Sequence, residues 1–149
     1  CAFRCGPARN QVLPPRHQDV RIEQSTCHYH GGAVPLPNAL ATRATRLARG
    51  AVESLPSPRG YLGVDLVLGE APSGEQDFVL EINPRLTTSY VWLSQAVSVN
   101  LAKLMLDVLV GMPVELCGEP RAVEVSADGR VWASEEAGLI ESIHRASMS

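Results

Sequence analysis

The sequence predicts an α+β fold in which an antiparallel sheet packs on two helices. Two strand-like runs, Tyr61 to Gly69 and Asp77 to Ile82, are separated by a loop that carries Pro72 and Gly74. This pattern is typical of a β-hairpin with a long connection. Before and after the hairpin, apolar residues recur at spacings of three and four, which is the period of an amphipathic helix.

The composition favours one globular domain and excludes several classes of protein. The chain has 149 residues, of which 45% are hydrophobic. Its formal net charge of -3 and pI of about 5.8 give no reason to expect a nucleic-acid partner. No apolar run reaches the roughly 18 residues that span a bilayer, and no signal peptide is recognisable. We therefore expect a cytoplasmic protein without a membrane partner.

The first 30 residues carry few signals of secondary structure. The chain begins with Cys1 in place of Met, and together with the family resemblance given below this leads us to expect the C-terminal portion of a longer protein or the product of a truncated gene. Prolines leave room for only a short strand around Gln11 to Leu13. Further on, Gly31-Gly32 predicts an ordinary turn.

A zinc site is conceivable from the cysteine and histidine content of the chain. The spacing of the cysteines and histidines matches no common zinc pattern, because structural zinc sites use cysteine pairs that are closer together in the sequence. Free thiols in a reducing cytosol are the favoured interpretation. The residues concerned are Cys1, Cys5, Cys27, Cys117, His28 and His30.

A first helix is predicted to begin at Asn38, whose side chain can cap it, and to end before Pro56. Arg43 and Arg46 lie largely off its apolar stripe, either as a solvated basic face or as contacts to phosphate. Gly50 costs the helix about 1 kcal/mol relative to alanine, so we expect it to pack closely on the sheet. The stripe consists of Leu40, Ala44, Leu47, Ala48, Ala51, Val52 and Leu55.

The alternation of side chains along the hairpin separates an aliphatic face from an acidic one. Asp65, Glu81 and Asn83 share the acidic face, with Asp65 nearly across from Glu81. Like charges directly opposed at about 5 Å destabilise a sheet, so we expect something positive between them. The aliphatic face is predicted to consist of Leu62, Val64, Leu66, Leu68, Phe78, Leu80 and Ile82.

A divalent cation suits the acidic face. Two carboxylates and an amide oxygen are hard ligands, and Mg²⁺ is usually held by one or two carboxylates together with substrate phosphates. The all-oxygen set disfavours zinc and copper. Arg85, two residues beyond Asn83, offers a positive fork suited to phosphate or an acyl phosphate. Alternatively, Asp65 and Glu81 are simply solvated residues on the wet side of an antiparallel sheet.

A second, long helix is predicted from about Tyr90 to Val110. Its free N-H groups, next to Arg85, form either an ordinary capped terminus or an anion site. The candidate N-caps are Thr87, Thr88 and Ser89. The stripe that should pack under the hairpin is Leu93, Val97, Leu101, Leu104 and Val108.

The end of the chain is predicted to lie outside the main domain. We expect a partial domain over residues 1–113, followed over residues 114–149 by a peripheral hairpin and a C-terminal tail. Arg121 to Ala133 predicts the hairpin, with its turn at Asp128-Gly129. Residues from Ser134 onward are mostly polar, which is typical of a frayed tail.

The metal-binding string carries a resemblance to a known family. Glu81-Ile82-Asn83-Pro84-Arg85, with Gly-Val-Asp65 on the neighbouring strand, resembles the C-terminal metal-binding segment of the ATP-grasp superfamily of carboxylate-amine ligases. The longer string EINPRLTTSY, followed by Asn100-Leu101-Ala102, most resembles the branch that includes tyramine-glutamate ligase and the pyrrolysine-biosynthesis ligase. The likeness runs from about Asn10 to Gly111. It implies the C-terminal lobe of an ATP-grasp fold with a metal-binding hairpin.

The resemblance also implies an activity and roles for individual residues. The activity would be an ATP-dependent ligation of a carboxylate, such as an amino acid like glutamate, to an amine through an acyl phosphate. ATP and Mg²⁺ or Mn²⁺ would be the cofactors, with Asp65, Glu81 and Asn83 as metal ligands. Arg85 would be catalytic, and Asn83, Arg85 and Thr88 would contact the nucleotide. The partners would be the two small-molecule substrates and the missing N-terminal lobe of the same protein.

Two alternatives remain open from the sequence. The first is a non-catalytic nucleotide- or metal-binding fragment, or a degenerate remnant, that acts only within a larger protein. The second is that the acidic face has no function beyond solubility. The resemblance also gives Tyr29 to Gly32 a second interpretation, as a turn in a loop that closes over the acceptor substrate.

Overall fold

The computed structural model of this chain describes residues 2–5, 10–112, 116 and 118–134, and for residues 2–5 the backbone alone. Within these residues, strands and helices together confirm the predicted α+β class. The elements are β1 (Ala2–Cys5), β2 (Asn10–Leu13), β3 (His17–Glu23), β4 (Thr26–Val34), α1 (Asn38–Glu53), β5 (Gly60–Val67), β6 (Phe78–Asn83), α2 (Ser89–Ala96), α3 (Leu101–Leu109), β7 (Val123–Ser126) and β8 (Val131–Ala133).

The strands form two antiparallel four-stranded sheets instead of one. The first sheet has the order β2-β1-β5-β6, and the second has the order β3-β4-β7-β8. Helix α1 packs on one face of the first sheet, where Ala48 and Val52 meet Leu62 and Val64. Helices α2 and α3 cover the other face, which carries Tyr61. Because side chains alternate along β5, this second face also carries Asp65.

Helix α2 connects the cores of the two sheets. Its Leu93 packs with Tyr61 and the α3 leucines in the core of the first sheet. Its Trp92 and Ala96 instead pack against Val123 and other valines in the core of the second sheet. Neighbouring faces of one short helix therefore contact the cores of the two sheets.

The first helix has nearly the predicted bounds, but two details of its prediction were wrong. Asn38 is not the N-cap: Pro37 has that position, no side chain caps the helix, and Asn38 is already helical. Gly50 does not pack on the sheet, since it is exposed and a Cβ atom placed on it would meet nothing within 4 Å. The predicted apolar stripe is confirmed by the complete burial of Ala48 and Val52.

The predicted long second helix is in fact two helices, so within the described residues three helices and not two pack on the sheets. The chain leaves α2 at Val97, whose φ of -101° and ψ of 146° are extended. Asn100 then caps α3 by accepting a hydrogen bond from the backbone N-H of Lys103 at 3.0 Å. The break has a local cause, because two β-branched valines and a serine precede an asparagine that favours a cap over a helix interior.

The aliphatic face of the hairpin differs from the prediction because β6 contains a bulge. Asp65 pairs with Glu81, but the next residue of β5, Leu66, pairs with Val79, so Leu80 is an extra residue on β6. The bulge turns Val79 toward the α1 core together with Ile82. Phe78 and Leu80, which we expected to be buried, are 58% and 66% exposed.

The C-terminal hairpin forms where it was predicted, with Gly129 at a φ of 84° in its turn. Its first strand, β7, pairs with β4 over Gly31 to Val34, and Val123 and Val125 are buried. The predicted domain boundary at residue 113 remains a prediction, although this pairing joins segments on either side of it. The predicted tail after residue 134 lies outside the described residues.

Candidate metal and anion site

The two acidic residues of the hairpin face each other across neighbouring strands. Asp65 of β5 and Glu81 of β6 are direct partners in the antiparallel register, as the sequence predicted. Asp65 is partly buried and Glu81 is exposed. Directly opposed carboxylates repel each other, so a cation placed between them would relieve that repulsion.

Asn83 completes the acidic face. It is only 5% exposed, and its Nδ2 atom donates a hydrogen bond to Oδ2 of Asp65 at 3.3 Å. In the register, Asn83 is the partner of Gly63, two residues before Asp65 on β5. The three side chains that the sequence assigned to the metal are thus brought together, and Asn83 orients one of the two carboxylates.

Gly63 has a role in this arrangement that the sequence analysis did not assign. A Cβ atom on Gly63 would lie 2.9 Å from Cγ2 of Thr87 and 3.6 Å from Cβ of Asn83. The missing side chain therefore allows the segment after β6 to lie directly on β5. The signal that the sequence offered for this role was a glycine two residues before Asp65.

Arg85 and Thr88 do not contact the acidic face in the described part of the chain. The backbone N-H of Arg85 donates to the Asn83 carbonyl at 2.9 Å, which makes a tight turn directly after β6. The guanidinium is exposed and donates to the carbonyl of Leu86 at 3.4 Å. Thr88 is exposed at the start of α2 and makes no side-chain capping bond. Their expected roles toward nucleotide stay predictions.

The other two candidate caps of α2 face a buried tyrosine. The Thr87 hydroxyl donates to the Ser89 hydroxyl at 2.9 Å, so neither caps the helix. Burial raises the pKa of Tyr61, and the nearby Thr87 and Ser89 hydroxyls partly oppose that shift. The Tyr61 hydroxyl oxygen is buried. The Thr87 and Ser89 hydroxyls lie near it without reaching the geometry of a full hydrogen bond.

Arg16 lies near the acidic face, and the sequence analysis did not identify it. Its Cζ atom lies 4.0 Å from the ring centroid of Trp92, and Tyr29 stacks on the same ring with a centroid distance of 6.1 Å. Burial lowers the pKa of Arg16, while the negative charge of Asp65 and a hydrogen bond with Tyr29 act in the opposite direction. No periodicity could have shown this cluster, because its members come from a loop, a strand and a helix.

The paired glycines after Tyr29 are not in a turn, contrary to the prediction. Gly31 and Gly32 lie within strand β4 and pair with β3 and β7. A Cβ atom on Gly32 would lie 2.9 Å from the Trp92 ring, and one on Gly31 would lie 2.1 Å from the Val125 carbonyl oxygen. The glycines therefore allow close contact between strands and a close approach of the Trp92 ring to the second sheet.

The donor set of the acidic face fits Mg²⁺ better than a fully protein-ligated metal. Among the described residues, no group of three or more histidine, cysteine or acidic side chains could hold an ion. An ion between Asp65 and Glu81 would therefore complete its shell with Asn83 and with ligands from outside the protein. That is the usual arrangement of Mg²⁺ bound with phosphates.

The alternative zinc site gains no support from the residues that the structure describes. Cys27 is an exposed free thiol. The side chains of Cys1, Cys5 and Cys117 lie outside the described part. His30 lies 3.7 Å from Glu23, an exposed pair on the β3-β4 hairpin.

One finding bears on location. In the described ranges, no helix combines the length and the hydrophobicity that crossing a bilayer requires. The cytoplasmic location stays a prediction.

Known proteins with the same fold match this chain. A family model described as the ATP-grasp domain matches residues 5–89, which is more than half of the chain. A solved structure titled as the ADP complex of PurK, N5-carboxyaminoimidazole ribonucleotide synthetase, matches with a TM-score of 0.64 and 17% identity. The match covers 98% of this chain but 36% of that enzyme's chain, and at this identity it shows the fold alone. No curated protein sequence matches this chain significantly.

Proposed function

Because this chain belongs to the ATP-grasp domain family, we propose that it is the metal- and nucleotide-binding part of an ATP-dependent ligase. In the proposed reaction a substrate carboxylate attacks the γ-phosphorus of ATP, which forms an acyl phosphate and releases ADP. An amine then attacks the acyl carbon, so that an amide forms and phosphate leaves. The proposed carboxylate is an amino acid such as glutamate, and the branch with tyramine-glutamate ligase remains the proposed relative.

The observation that carries this proposal is the pairing of Asp65 with Glu81, with Asn83 bonded to Asp65 on the same face. We assign Asp65, Glu81 and Asn83 as the ligands of Mg²⁺ or Mn²⁺. Bound there, the ion would neutralise charge on the β- and γ-phosphate oxygens during phosphoryl transfer. The chain's own contribution is to hold two opposed carboxylates at a fixed spacing.

Arg85 and Thr88 are proposed to act on the phosphates from the turn that follows β6. The Arg85 guanidinium has no ion pair in the described part of the chain and bonds to a single carbonyl. It can therefore turn toward an acyl phosphate without breaking a salt bridge, and its planar fork suits phosphate oxygens. Thr88, three residues further on, presents an exposed hydroxyl at the start of α2.

Calorimetric titration with a nonhydrolysable ATP analogue, with and without magnesium, tests the assignment. We expect magnesium-dependent binding by the chain and its loss in the Asp65→Asn/Glu81→Gln double variant. Glu75→Gln, an exposed change in the β5-β6 loop, is the matched control and should bind normally. Equal binding by the double variant and the parent chain would disprove the proposed metal site.

A non-catalytic binding module is the second candidate. The chain spans 36% of the length of the PurK chain that it matches. The two candidates differ in turnover: a ligase releases ADP in a manner that depends on both a carboxylate and an amine. A non-catalytic module binds nucleotide with magnesium but releases no ADP.

A further inference from the structure

Arg16 is a partly buried cation whose surroundings the proposed metal site does not explain. It lies in the short connection between β2 and β3. Its guanidinium lies over Trp92, and its Nη1 atom is buried without a hydrogen-bond partner among the described residues. Burial lowers its pKa, while the negative charge of Asp65 and a hydrogen bond with Tyr29 act in the opposite direction. It is therefore close to the acidic face but is not paired with it.

A second arginine shows how this chain satisfies a purely structural guanidinium. Arg43 of α1 donates from Nε to Oδ2 of Asp77 at 3.1 Å and from Nη2 to the Gly69 carbonyl at 2.8 Å, and it also bonds to the other carboxylate oxygen. Arg16 lacks such an ion pair in the described part of the chain. The hydrogen bond with Tyr29 still leaves the buried Nη1 donor unused, which is costly, so a structural role alone accounts poorly for Arg16.

The Arg16 guanidinium is also held in place before any ligand arrives. Trp92 of α2 supports one face of it, and Tyr29 of β4 stacks on Trp92 with an interplanar angle of 25°. Gly32 leaves the space that the Trp92 ring occupies. An arginine fixed by stacking keeps its N-H donors at the edge of its plane, where they fit the two oxygens of a carboxylate.

We propose that Arg16 binds the carboxylate of the substrate that the ligase activates, beside the metal-binding pair of Asp65 and Glu81. This inference rests on the proposed function. A carboxylate held by Arg16 satisfies the unused donors and lies on the side of the sheet where the γ-phosphate of ATP would be held. Asp65 repels such an anion, so a metal ion on Asp65 and Glu81 should strengthen its binding.

The test uses the fluorescence of Trp92, which lies against Arg16. The chain has two tryptophans, so Trp132→Phe in the exposed strand β8 leaves Trp92 as the reporter. Glutarate, L-glutamate and inorganic phosphate are titrated at constant ionic strength, with chloride as the control anion. Arg16→Gln removes the charge, Arg16→Lys keeps it without the planar fork, and the exposed Arg21→Gln is the matched control.

We expect glutarate or glutamate to change the fluorescence of the parent chain and Arg16→Gln to weaken that binding by about tenfold or more. Arg16→Lys should be intermediate, and Arg21→Gln should stay within about twofold. The proposal is overturned by equal affinity in Arg16→Gln, by no carboxylate binding to the parent chain, or by binding of phosphate alone. If circular dichroism shows that Arg16→Gln is unfolded, the carboxylate affinity of Arg16→Lys is compared with that of the parent chain instead, and equal affinity overturns the proposal.

The nucleotide titration separates this inference from the proposed function. Magnesium-dependent binding of the ATP analogue should persist in Arg16→Gln, because that change leaves Asp65 and Glu81 intact. Nucleotide binding with carboxylate affinity independent of Arg16 would refute this inference alone. Carboxylate binding through Arg16 without any nucleotide binding would refute the proposed ligase and, with it, the assignment of the bound carboxylate as its substrate.

Discussion

Asn83 donates a hydrogen bond from β6 to Asp65 on the neighbouring strand β5, at 3.3 Å. Asn83 is almost fully buried, and Asp65 also faces Glu81 directly in the register. The amide thus supplies a donor to a carboxylate that already has a like charge opposite it. This small arrangement makes the acidic face sensitive both to the charge at position 83 and to a bound cation.

Asn83→Asp should lower the melting temperature in the absence of metal and make it depend more strongly on magnesium. The change removes the donor to Asp65 and adds a third carboxylate, which together should cost about 1–3 kcal/mol of folding free energy. Magnesium should recover most of this loss by neutralising the carboxylates. Thermal unfolding with and without magnesium measures both effects.

The control for that change is Asn100→Asp, at the N-cap of α3. Aspartate caps a helix about as well as asparagine does, so this variant should unfold like the parent chain and show no added response to magnesium. A magnesium response of the same size in both variants would mean that the effect is unrelated to the acidic face.

Asp77→Asn should destabilise the fold near neutral pH and much less in acid. Arg43 joins α1 to the β5-β6 loop through its bonds to Asp77 and to the Gly69 carbonyl. The hydrogen bond from Arg43 holds the pKa of Asp77 below its ordinary value. A lowered carboxyl pKa stabilises the folded state above the unfolded-state pKa, and that stabilisation is lost as the pH falls through the folded-state pKa.

The measurement for Asp77→Asn is the melting temperature as a function of pH. The difference from the parent chain should be largest at about pH 6–8 and should shrink toward the acid limit. Asp107→Asn is the matched control, since its pair with the exposed Lys103 lies within one helix and such pairs contribute little. A pH-independent difference for Asp77→Asn would contradict the role given to its charge.

Gly50→Ala should stabilise the protein by about 0.5–1 kcal/mol. Gly50 lies in the interior of α1, is exposed, and has no atom within 4 Å of where a Cβ would be. Alanine therefore reduces the backbone entropy lost on folding without a clash. Denaturant unfolding gives the free energy, and an unchanged or lower value would show that this position has a requirement the structure does not reveal.

Gly63→Ala should have the opposite effect, with a loss of about 1–3 kcal/mol. The new methyl would lie 2.9 Å from Cγ2 of Thr87, so the Thr87 side chain or its backbone must shift, whereas the 3.6 Å separation from Cβ of Asn83 is an ordinary contact. We also expect weaker magnesium-dependent binding of the ATP analogue, because Thr87 lies between Asn83 and the start of α2. Parent-like stability together with parent-like nucleotide affinity would contradict the close contact described for Gly63.

Local patterns predicted those parts of the molecule that depend on neighbouring residues in the chain. The hairpin and its Asp65-Glu81 register follow from alternation and from a loop of defined length, and both are present. The prediction of a single helix after the hairpin was wrong because the apolar stripe continues through the break. The cap at Asn100, a signal available in the sequence, was outweighed by that stripe.

The bulge at Leu80 and the strand position of Gly31 and Gly32 needed more than periodicity. The extra residue on β6 is tolerated because Val79 and Ile82 both find places in the α1 core. The two glycines form a strand and not a turn because β3, β7 and Trp92 pack against them. In both cases the packing of distant segments, which no local pattern contains, decides the local conformation.

The sequence by itself determined the class of the fold, the register of the β5-β6 hairpin and the resemblance carried by Glu81 to Arg85. These depend on side-chain alternation and on residue types that are adjacent in the chain. Only the tertiary structure decided that the strands divide into two sheets, that Gly63 admits the Thr87 segment, and that Arg16 lies partly buried on Trp92 near Asp65. The physical reason is that burial and the electrostatic surroundings of a charge depend on contacts between residues far apart in the chain.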